Sequence, residues 1–308
     1  MLTSLVRWLR GTPDAAARAQ PAAPPAPPLF APNGHFYSPV VDIAEARRDE
    51  HLIWPERPVV HGIDFNEASH RRILDEAFPR FIADYGYPDT LPEGAPEDRF
   101  YNINHQFGWL DSRALFVLMR DLAPARVIEV GSGYSSLLMA DVNLRFLGGA
   151  TQITCIEPYP RPFLRAGVPG IARVIESRVQ DVPVDEFRRL AAGDFLFIDS
   201  SHVSKTGSDV NYLFFRVLPV LAPGVIVHIH DIILPHDYPK GWVLTEGRSW
   251  NEQYVVQALL MYSRAFRVLF SCSHAYHAMG ERVAQAMRAP QSPEHFGASL
   301  WLEVLPHE

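Results

Sequence analysis

Four ionisable side chains follow two apolar runs of the chain and have the types needed for acid–base or metal chemistry. Asp199 and His202 follow one run, Phe195 to Ile198, and His230 and Asp231 end the next. Because ligands bind at the carboxyl ends of strands in open α/β sheets, we expect the four side chains to converge there. Charged groups are costly to desolvate unless they are paired or bind a metal. The sequence therefore predicts a catalytic site at these residues.

Asp199, His230 and Asp231 are also candidate metal ligands. Carboxylates suit Mg²⁺, whereas an added imidazole moves the preference toward Mn²⁺, Fe²⁺ or Zn²⁺. A divalent ion would lower the pKa of a substrate hydroxyl. Without a metal, His202 or His230 would act as the general base, because imidazole titrates near neutrality. His228 is expected to be a core histidine.

A glycine turn follows the apolar run Val127 to Val130. Gly131 and Gly133 precede a predicted helix that opens at Tyr134. Such a turn lets a ligand approach bare backbone amides at a helix N-terminus, as at the first βα turn of a doubly wound sheet. The dinucleotide pattern G-x-G-x-x-G/A is met only in part, because Ser136 occupies its third position.

The next β-branched run, from Thr151, ends on Glu157, which lies 26 residues after Gly131. A carboxylate at the tip of a second strand can accept both hydroxyls of a ribose. A third short strand is predicted from Ala172 to Glu176. The pattern is therefore typical of an α/β protein that binds an adenosine-containing ligand.

The segment Glu129-x-Gly131-x-Gly133 resembles motif I of the class I S-adenosylmethionine (SAM)-dependent methyltransferases. The resemblance implies that SAM is the cofactor and that the glycines pass close to its methionine part. Glu129 would contact the SAM amino group directly or through water. Ser135 stands where a third glycine is usual, and Glu157 would be the ribose acid.

The resemblance extends to the adenine and acceptor sites. Asp181 or Gln180 would bond the adenine amine, although either is also compatible with a helix cap. Asp199 matches the first acid of metal-dependent O-methyltransferases, and the pair His230-Asp231 matches the second ligand position. His230 departs from that pattern, because an oxygen ligand is usual there.

The segments Ile-Asp-Ser-Ser-His, His-Ile-His-Asp-Ile and Trp-Asn-Glu-Gln-Tyr, between Phe197 and Leu260, resemble bacterial methyltransferases of the methyltransferase 24 type. The resemblance covers roughly residues 100 to 304. It implies a Rossmann-like class I methyltransferase fold, an α/β fold with a seven-stranded, mostly parallel sheet and helices on both faces. The implied reaction is O-methylation of a small-molecule or sugar hydroxyl.

Three regions are predicted along the chain. Residues 1–34 form an Ala/Pro-rich disordered segment, residues 35–110 a helical and aromatic lid region, and residues 111–308 the methyltransferase domain. Within the first region, Met1 to Arg10 is a poor secretion signal and a weak amphipathic contact helix. The candidate lid or substrate contacts are Tyr101, Asn104, His105 and Trp109.

Composition limits the classes of binding partner that we expect. The 308 residues carry a net charge of −7 without a Lys/Arg cluster, so no nucleic-acid partner is expected and the acceptor is a small molecule or saccharide. Cys155 and Cys272 lie in or beside apolar strands and indicate buried thiols in a reducing, cytoplasmic compartment. No apolar run approaches the roughly 18 residues of a membrane span, so no transmembrane segment is expected.

Two other functional classes remain open from the sequence alone. An NAD(P)-dependent oxidoreductase would use the same kind of sheet, but Ser136 and the charges at the strand tips disfavour it. A non-catalytic SAM-fold binding protein is the second alternative. Binding of SAM and of NAD, measured by equilibrium dialysis, separates these classes from a methyltransferase.

Overall fold

The computed structural model describes residues 28–289 and 296–306. Within these residues seven strands form one sheet: β1 (Arg126–Val130), β2 (Gln152–Ile156), β3 (Arg173–Ile175), β4 (Phe195–Ile198), β5 (Ile226–Ile229), β6 (Phe266–Ser271) and β7 (Leu300–Val304). Their order across the sheet is β3-β2-β1-β4-β5-β7-β6. The first five strands pair in parallel, and β7 runs antiparallel between β5 and β6.

This order confirms the predicted Rossmann-like sheet. From β1 the chain builds outward to β3, then returns to place β4 on the other side of β1. The strand order therefore reverses between β1 and β4, and ligands bind at such a switch point in doubly wound sheets. The glycine turn after β1 and Asp199 after β4 both lie there.

Helices connect the strands, and several are interrupted. The α-helices are α1 (Ile43–Arg48), α2 (Glu50–Ile53), α3 (Glu67–Arg72), α4 (Phe78–Phe81), α5 (Trp109–Leu122), α6 (Tyr134–Phe146), α7 (Pro162–Ala166), α8 (Val184–Phe187), α9 (Asp209–Tyr212), α10 (Glu252–Tyr262), α11 (Cys272–Ala278) and α12 (Gly280–Met287). π-helical turns span Ile73–Ala77, Leu213–Val217 and Gly241–Thr245, and 3₁₀ turns span Ile82–Asp84, Val179–Asp181 and Leu218–Val220.

The sheet has an apolar layer on each face. Alternate side chains of β4 point to opposite sides, as the twofold period of a strand requires. Phe195 and Phe197 pack with residues of α5 and α6 on one face, whereas Leu196 and Ile198 pack with Val217 and its neighbours on the other. All four residues of β4 are buried, which explains the unbroken apolar run in the sequence.

Two predicted helices run without a gap but contain widened turns, and proline is the physical reason. The sequence predicts single helices from Asn66 to Tyr85 and from Gly207 to Leu221, but each contains a π-helical turn. Pro79 and Pro219 follow these turns. A proline has no N–H for the helical bond to the fourth preceding carbonyl, and its ring collides with that carbonyl, so the preceding turn widens.

The region before β1 braces the far edge of the sheet. The Ser69 hydroxyl donates to the Leu269 carbonyl at 2.7 Å, and the Ser271 amide donates to His70 Nε2 at 2.8 Å. These contacts fix α3 against β6. Residues 1–27, which hold the predicted amphipathic segment and most of the Ala/Pro-rich stretch, lie outside the described residues. No helix within residues 28–289 and 296–306 has the length and apolarity to cross a bilayer.

Gly131 generates the first prediction. Its φ is +80°, and a methyl group on its Cα would overlap the Asp199 carbonyl oxygen and lie 2.8 Å from the carbonyl carbon. We expect Gly131→Ala to lower the free energy of unfolding by more than about 3 kcal/mol, because left-handed strain adds to a backbone collision. Urea unfolding measures the loss.

Gly193→Ala is the matched control. Gly193 has a φ of +86° but open space where a Cβ would stand. Gly193→Ala should lower the free energy of unfolding by about 1–3 kcal/mol, because the left-handed backbone is its only source of strain. Equal losses in the two variants would contradict a special role for the contact between Gly131 and Asp199.

Candidate active site

The glycine turn is hydrogen-bonded to the ends of both neighbouring strands. The Asp199 amide donates to the Val130 carbonyl at 2.8 Å, and the Gly131 amide donates to the Ile156 carbonyl at 3.0 Å. Gly131 is thus packed against the start of the acid–imidazole segment. At Gly133 the nearest atom to an added Cβ is Arg161 Nε, 3.9 Å away. A ligand can therefore approach the chain at Gly133, whereas Gly131 is occupied by Asp199.

Glu129 lies beneath this turn rather than in the cleft. It is fully buried, and its two oxygens accept the hydroxyls of Ser135, at 2.6 Å, and Ser136. Burial raises the pKa of Glu129 to about 7, although these hydrogen bonds and one from Cys155 act against the rise. Glu129 and Ser135 therefore brace the start of α6, and their contact with the cofactor stays a prediction.

Glu157 stands at the tip of β2, beside the turn. Its Oε2 accepts the Ser132 amide at 3.2 Å, and its Oε1 accepts the Tyr159 amide at 2.8 Å. Burial raises the pKa of Glu157, and the charge of Asp199 acts in the same direction. The carboxylate is thus held at the place where the sequence predicts a ribose contact.

Asp181 is on the surface in the 3₁₀ turn after β3. Its two oxygens accept from Arg178 Nε and Nη2, each at 2.9 Å, and this pairing lowers the pKa of Asp181. Gln180 Nε2 donates to the Gly207 carbonyl at 3.0 Å. Both side chains predicted for the adenine amine are therefore already engaged elsewhere, and their contact with a ligand stays a prediction.

The four strand-tip side chains do come together. His202 Nε2 lies 3.4 Å from Asp199 Oδ1 and 3.3 Å from Asp231 Oδ2. His230 Nδ1 lies 3.5 Å from Asp199 Oδ1 and 3.6 Å from Asp231 Oδ1. One possible ligand atom from each of Asp199, His230 and Asp231 lies within 4.8 Å of the other two. These three side chains could thus share one cation.

Mutual charges set the protonation states of this cluster. Burial lowers the pKa of His202, but hydrogen bonds with Asp199 and Glu252 outweigh it and raise the value to about 10. The charges of Asp231 and Asp199 likewise outweigh burial and hold the pKa of His230 well above its usual value. Without a bound ion both imidazoles therefore favour the protonated form at neutral pH. The role of His202 or His230 as general base stays a prediction.

The two aspartates of the cluster, Asp199 and Asp231, differ in the direction of their pKa shifts. Burial raises the pKa of Asp199, but the charge of His230 and a hydrogen bond from His202 outweigh it and hold the value well below its usual range. Burial raises the pKa of Asp231, and here the two imidazoles do not fully offset it. Asp231 is therefore the carboxylate of the pair that accepts a proton more readily.

Two members of the cluster have left-handed backbones. His202 has a φ of +59° and Asp231 a φ of +56°. For residues other than glycine such a conformation costs of order 1–3 kcal/mol and persists where surrounding contacts impose it. The His202 carbonyl accepts the amides of Asn251 and Glu252, at 3.0 and 3.2 Å. The start of α10 therefore holds this strained residue in place.

Sequence reasoning missed two buried carboxylates next to the imidazoles. Glu252 Oε2 lies 2.8 Å from His202 Nδ1. The sequence predicts that Asp111 and Ser112 cap a helix reaching Leu122. Asp111 instead accepts the amides of Ala298 and Ser299 at 3.0 and 2.7 Å, and its Oδ2 lies 3.6 Å from His230 Nε2. The cap prediction is wrong because α5 begins earlier, at Trp109, with Gly108 as its N-cap.

A loop from the accessory region reaches the glycine turn. The hydroxyls of Tyr101 and Tyr134 are 3.1 Å apart, and Arg161 Nη2 donates to Gln106 Oε1 at 2.7 Å. The ring of Phe107 lies 5.3 Å from that of His230. Of the other predicted lid contacts, Asn104 is buried and bonds its own loop, His105 is exposed, and Trp109 begins α5.

His228 is a core residue, as the sequence indicates. It is fully buried, its ring stacks on Phe197 at 3.7 Å, and its Nε2 lies 2.8 Å from Ser299 Oγ. Burial lowers its pKa well below the usual value. A neutral, stacked imidazole of this kind contributes to packing and not to the cluster.

Comparison with known proteins identifies the family. The methyltransferase domain family matches residues 128–232, which contain the glycine turn, Glu157 and all four cluster residues. An uncharacterised protein of Archaeoglobus fulgidus is 39% identical over 163 residues, which span 52% of this chain and 73% of that protein. The chain belongs to the class I SAM-dependent methyltransferases of the methyltransferase 24 type. This membership disagrees with the NAD(P)-dependent oxidoreductase alternative.

Solved structures with related folds include three methyltransferases. One is TomG from Streptomyces achromogenes, an O-methyltransferase involved in tomaymycin synthesis that was solved with SAM. It is 15% identical to this chain, and the match covers 85% of this chain and 96% of TomG with a TM-score of 0.38. The O-methyltransferase from Bacillus cereus, solved with SAH, is 13% identical with a TM-score of 0.36 over 85% and 97%. A methyltransferase from Geobacter sulfurreducens is 13% identical with a TM-score of 0.38 over 86% and 100%. The strand order of the sheet, and not these likenesses, identifies the fold.

The residues at the switch point fit SAM as the cofactor of this methyltransferase. The backbone at Gly133 is open to a ligand, and α6 begins at the next residue, so a helix N-terminus lies beside that space. Glu157 presents a carboxylate at the tip of the neighbouring strand. The turn could hold the methionine part of SAM, and the carboxylate could hold its ribose.

Glu129 generates a pH prediction. Its pKa is about 7 in the folded protein, against an ordinary value of 4.5. The folded state therefore holds a proton that the unfolded state releases, and stability should fall by about 3 kcal/mol as the pH rises from 4.5 through 7. Glu129→Gln should remove this fall. Urea unfolding from pH 4.5 to 8 measures it, and the same slope in both proteins would contradict the prediction.

Glu157 generates a binding prediction. Glu157→Ala removes the carboxylate predicted to accept the ribose hydroxyls, and a hydrogen bond to a charged group contributes about 1.5–3 kcal/mol. The Kd for SAM should therefore rise roughly tenfold to a hundredfold by calorimetry. Glu176→Ala, which removes an exposed carboxylate paired with Arg165, is the control and should bind normally. Unchanged binding in Glu157→Ala would remove Glu157 from the cofactor site.

Proposed function

We propose that this methyltransferase transfers the methyl group of SAM to a hydroxyl oxygen of a small molecule or a sugar. The supporting observation is the acid–imidazole cluster, which begins at Asp199 in direct contact with the glycine turn. Two carboxylates and two imidazoles surround one position there. A hydroxyl needs such groups, because it must be oriented and must lose its proton during the transfer.

The donor set supports a divalent metal at this position. Asp199, His230 and Asp231 would hold the ion through two carboxylates and one imidazole. This combination favours Mn²⁺, Fe²⁺ or Zn²⁺ over Mg²⁺. A bound ion would act as a Lewis acid that lowers the pKa of the acceptor hydroxyl.

Residues of the cluster can accept the proton that the acceptor hydroxyl releases. In the proposed reaction the carbon–sulfur bond of the cofactor breaks as the carbon–oxygen bond forms, and the hydroxyl proton leaves. Without a bound ion, Asp231 is the acceptor we propose for that proton, since burial raises its pKa. His202 is protonated at neutral pH, and its positive charge would stabilise the negative charge that develops on oxygen. An ion held by Asp199, His230 and Asp231 would displace the proton of His230, because only a neutral imidazole is a metal ligand.

A small acceptor agrees with the charge of the chain. The net charge of −7 provides no general attraction for a phosphate backbone. A loop rich in Trp and Tyr, residues 234–251, lies beside the cluster, and the ring of Trp250 is 4.4 Å from that of His202. Aromatic side chains at this place would cover a planar or saccharide acceptor.

The test combines cofactor binding with transfer to a panel of phenolic, alcoholic and saccharide hydroxyls. We expect Asp199→Asn and Asp231→Asn to bind SAM like the wild type but to lose at least about a hundredfold in transfer rate. Asp185→Asn, which changes an exposed carboxylate on α8, is the control and should keep full activity.

Metal dependence is tested on the same proteins. Calorimetry should show that wild-type protein binds Mn²⁺ more tightly than Mg²⁺ and that Asp199→Asn and Asp231→Asn weaken this binding. EDTA should stop transfer, and added Mn²⁺ should restore it. Full activity after exhaustive chelation would reject the metal, and methylation of nitrogen acceptors alone would reject the oxygen assignment.

A further inference from the structure

The ring of His202 is held at both nitrogens and on one face. Its Nε2 faces Asp199 and Asp231, while its Nδ1 lies 2.8 Å from Glu252 Oε2. The Trp250 ring packs at 4.4 Å from the imidazole with an interplanar angle of 43°. Three consecutive residues, 250–252, thus fix the ring face, the backbone carbonyl and Nδ1 of His202.

Glu252 is not an ordinary acid of a first helical turn. Acids in that position usually lie at the surface, where they balance the helix dipole. Glu252 is instead fully buried, and its other oxygen, Oε1, accepts the Ser200 hydroxyl at 3.1 Å. A buried carboxylate is unfavourable unless it is hydrogen-bonded. His202 Nδ1 and the Ser200 hydroxyl supply its contacts, so the position of the imidazole and that of the carboxylate depend on each other.

We propose that Glu252 is the positioning residue for His202 in methyl transfer, an inference that rests on the proposed function. A carboxylate can only accept here, so the contact requires hydrogen on Nδ1 and directs Nε2 toward Asp199 and Asp231. Glu252 is the contact that fixes Nδ1, whereas Trp250 packs on the ring face. Glu252 touches neither aspartate and acts through the imidazole alone.

The first experiment needs no acceptor. In protein with ¹⁵N-labelled histidine, the Nδ1–H signal of His202 is assigned as the ring signal that disappears in His202→Gln. We expect Glu252→Gln to speed solvent exchange of this proton at least about tenfold. Glu246→Gln should leave it unchanged, because Glu246 pairs with Arg248 in the preceding loop. An equal exchange rate of the His202 Nδ1 proton in Glu252→Gln and in the wild type would overturn the proposal.

A milder variant covers the case in which Glu252→Gln does not fold. Ser200→Ala removes only the hydroxyl that donates to Glu252 Oε1. It should speed the exchange of the same His202 proton to an intermediate degree while the urea midpoint stays close to that of Glu246→Gln. An exchange rate equal to that of the wild type in Ser200→Ala, with Glu252→Gln unfolded, counts against the positioning role.

The second experiment is a double-mutant cycle with a hydroxyl acceptor found in the panel above. Glu252→Gln should lower kcat by about tenfold to a hundredfold and leave the Kd for SAM unchanged. In a His202→Gln background the same change should cost nothing further, because the two residues act as one unit. An equal loss in both backgrounds would overturn the proposal, since it indicates a structural effect on α10.

The two experiments separate this inference from the proposed function. If no hydroxyl is methylated by the wild type, the proposed function fails and the second experiment cannot be run. The exchange of the His202 ring proton still tests the contact in that case. If hydroxyls are methylated but Glu252→Gln leaves both exchange and kcat unchanged, the positioning role fails alone.

Discussion

The close packing of Gly131 against the Asp199 carbonyl is the constraint on which the rest of the site depends. It joins the turn after β1 to the end of β4 through backbone atoms alone, with a hydrogen bond between Asp199 and Val130 beside it. Side-chain rotation cannot change this distance. The cofactor turn and the first carboxylate of the cluster are therefore held in a fixed relation, which is what a single displacement step between two bound groups requires.

Charge balance is the second constraint, and it couples function to stability. Within the cluster, His202 and His230 are buried together with Glu252, while Asp199 and Asp231 are half-buried. Each charge is tolerable because the others are present, and removing one partner leaves an unpaired charge in a poorly solvated place. The left-handed backbones of His202 and Asp231 add local strain. Substitutions in this cluster should thus be examined for folding before any loss of activity is assigned to chemistry.

The accessory region has several separate structural tasks. Its helix α3 holds the β6 edge of the sheet, through His70 and Ser69, far along the sheet from the glycine turn. Its later loop places Tyr101 against Tyr134 and Phe107 near His230. Its first helices, α1 and α2, also contact the loop of residues 234–251, where Trp54 Nε1 donates to the Tyr238 carbonyl at 2.7 Å. The lid role of residues 35–110 stays a prediction.

The fold could be predicted from the sequence because its signals are local. Buried parallel strands are short apolar runs, and the residue after each run must lie at one edge of the sheet. This reasoning placed Asp199, His202, His230 and Asp231 together from their positions at two strand ends. The same logic placed Glu157 beside the glycine turn, where it accepts the Ser132 amide.

The partners and directions of side chains were decided by the tertiary structure. Glu252 contacts a histidine 50 residues away, and its sequence context matches that of a surface acid in a first helical turn. Glu129 turns under the glycines because two serine hydroxyls satisfy it there, and Asp181 turns outward to Arg178. Strand period and motif spacing determine which residues reach the site. Which atoms face one another depends on desolvation and charge pairing among segments that meet only after the chain has folded.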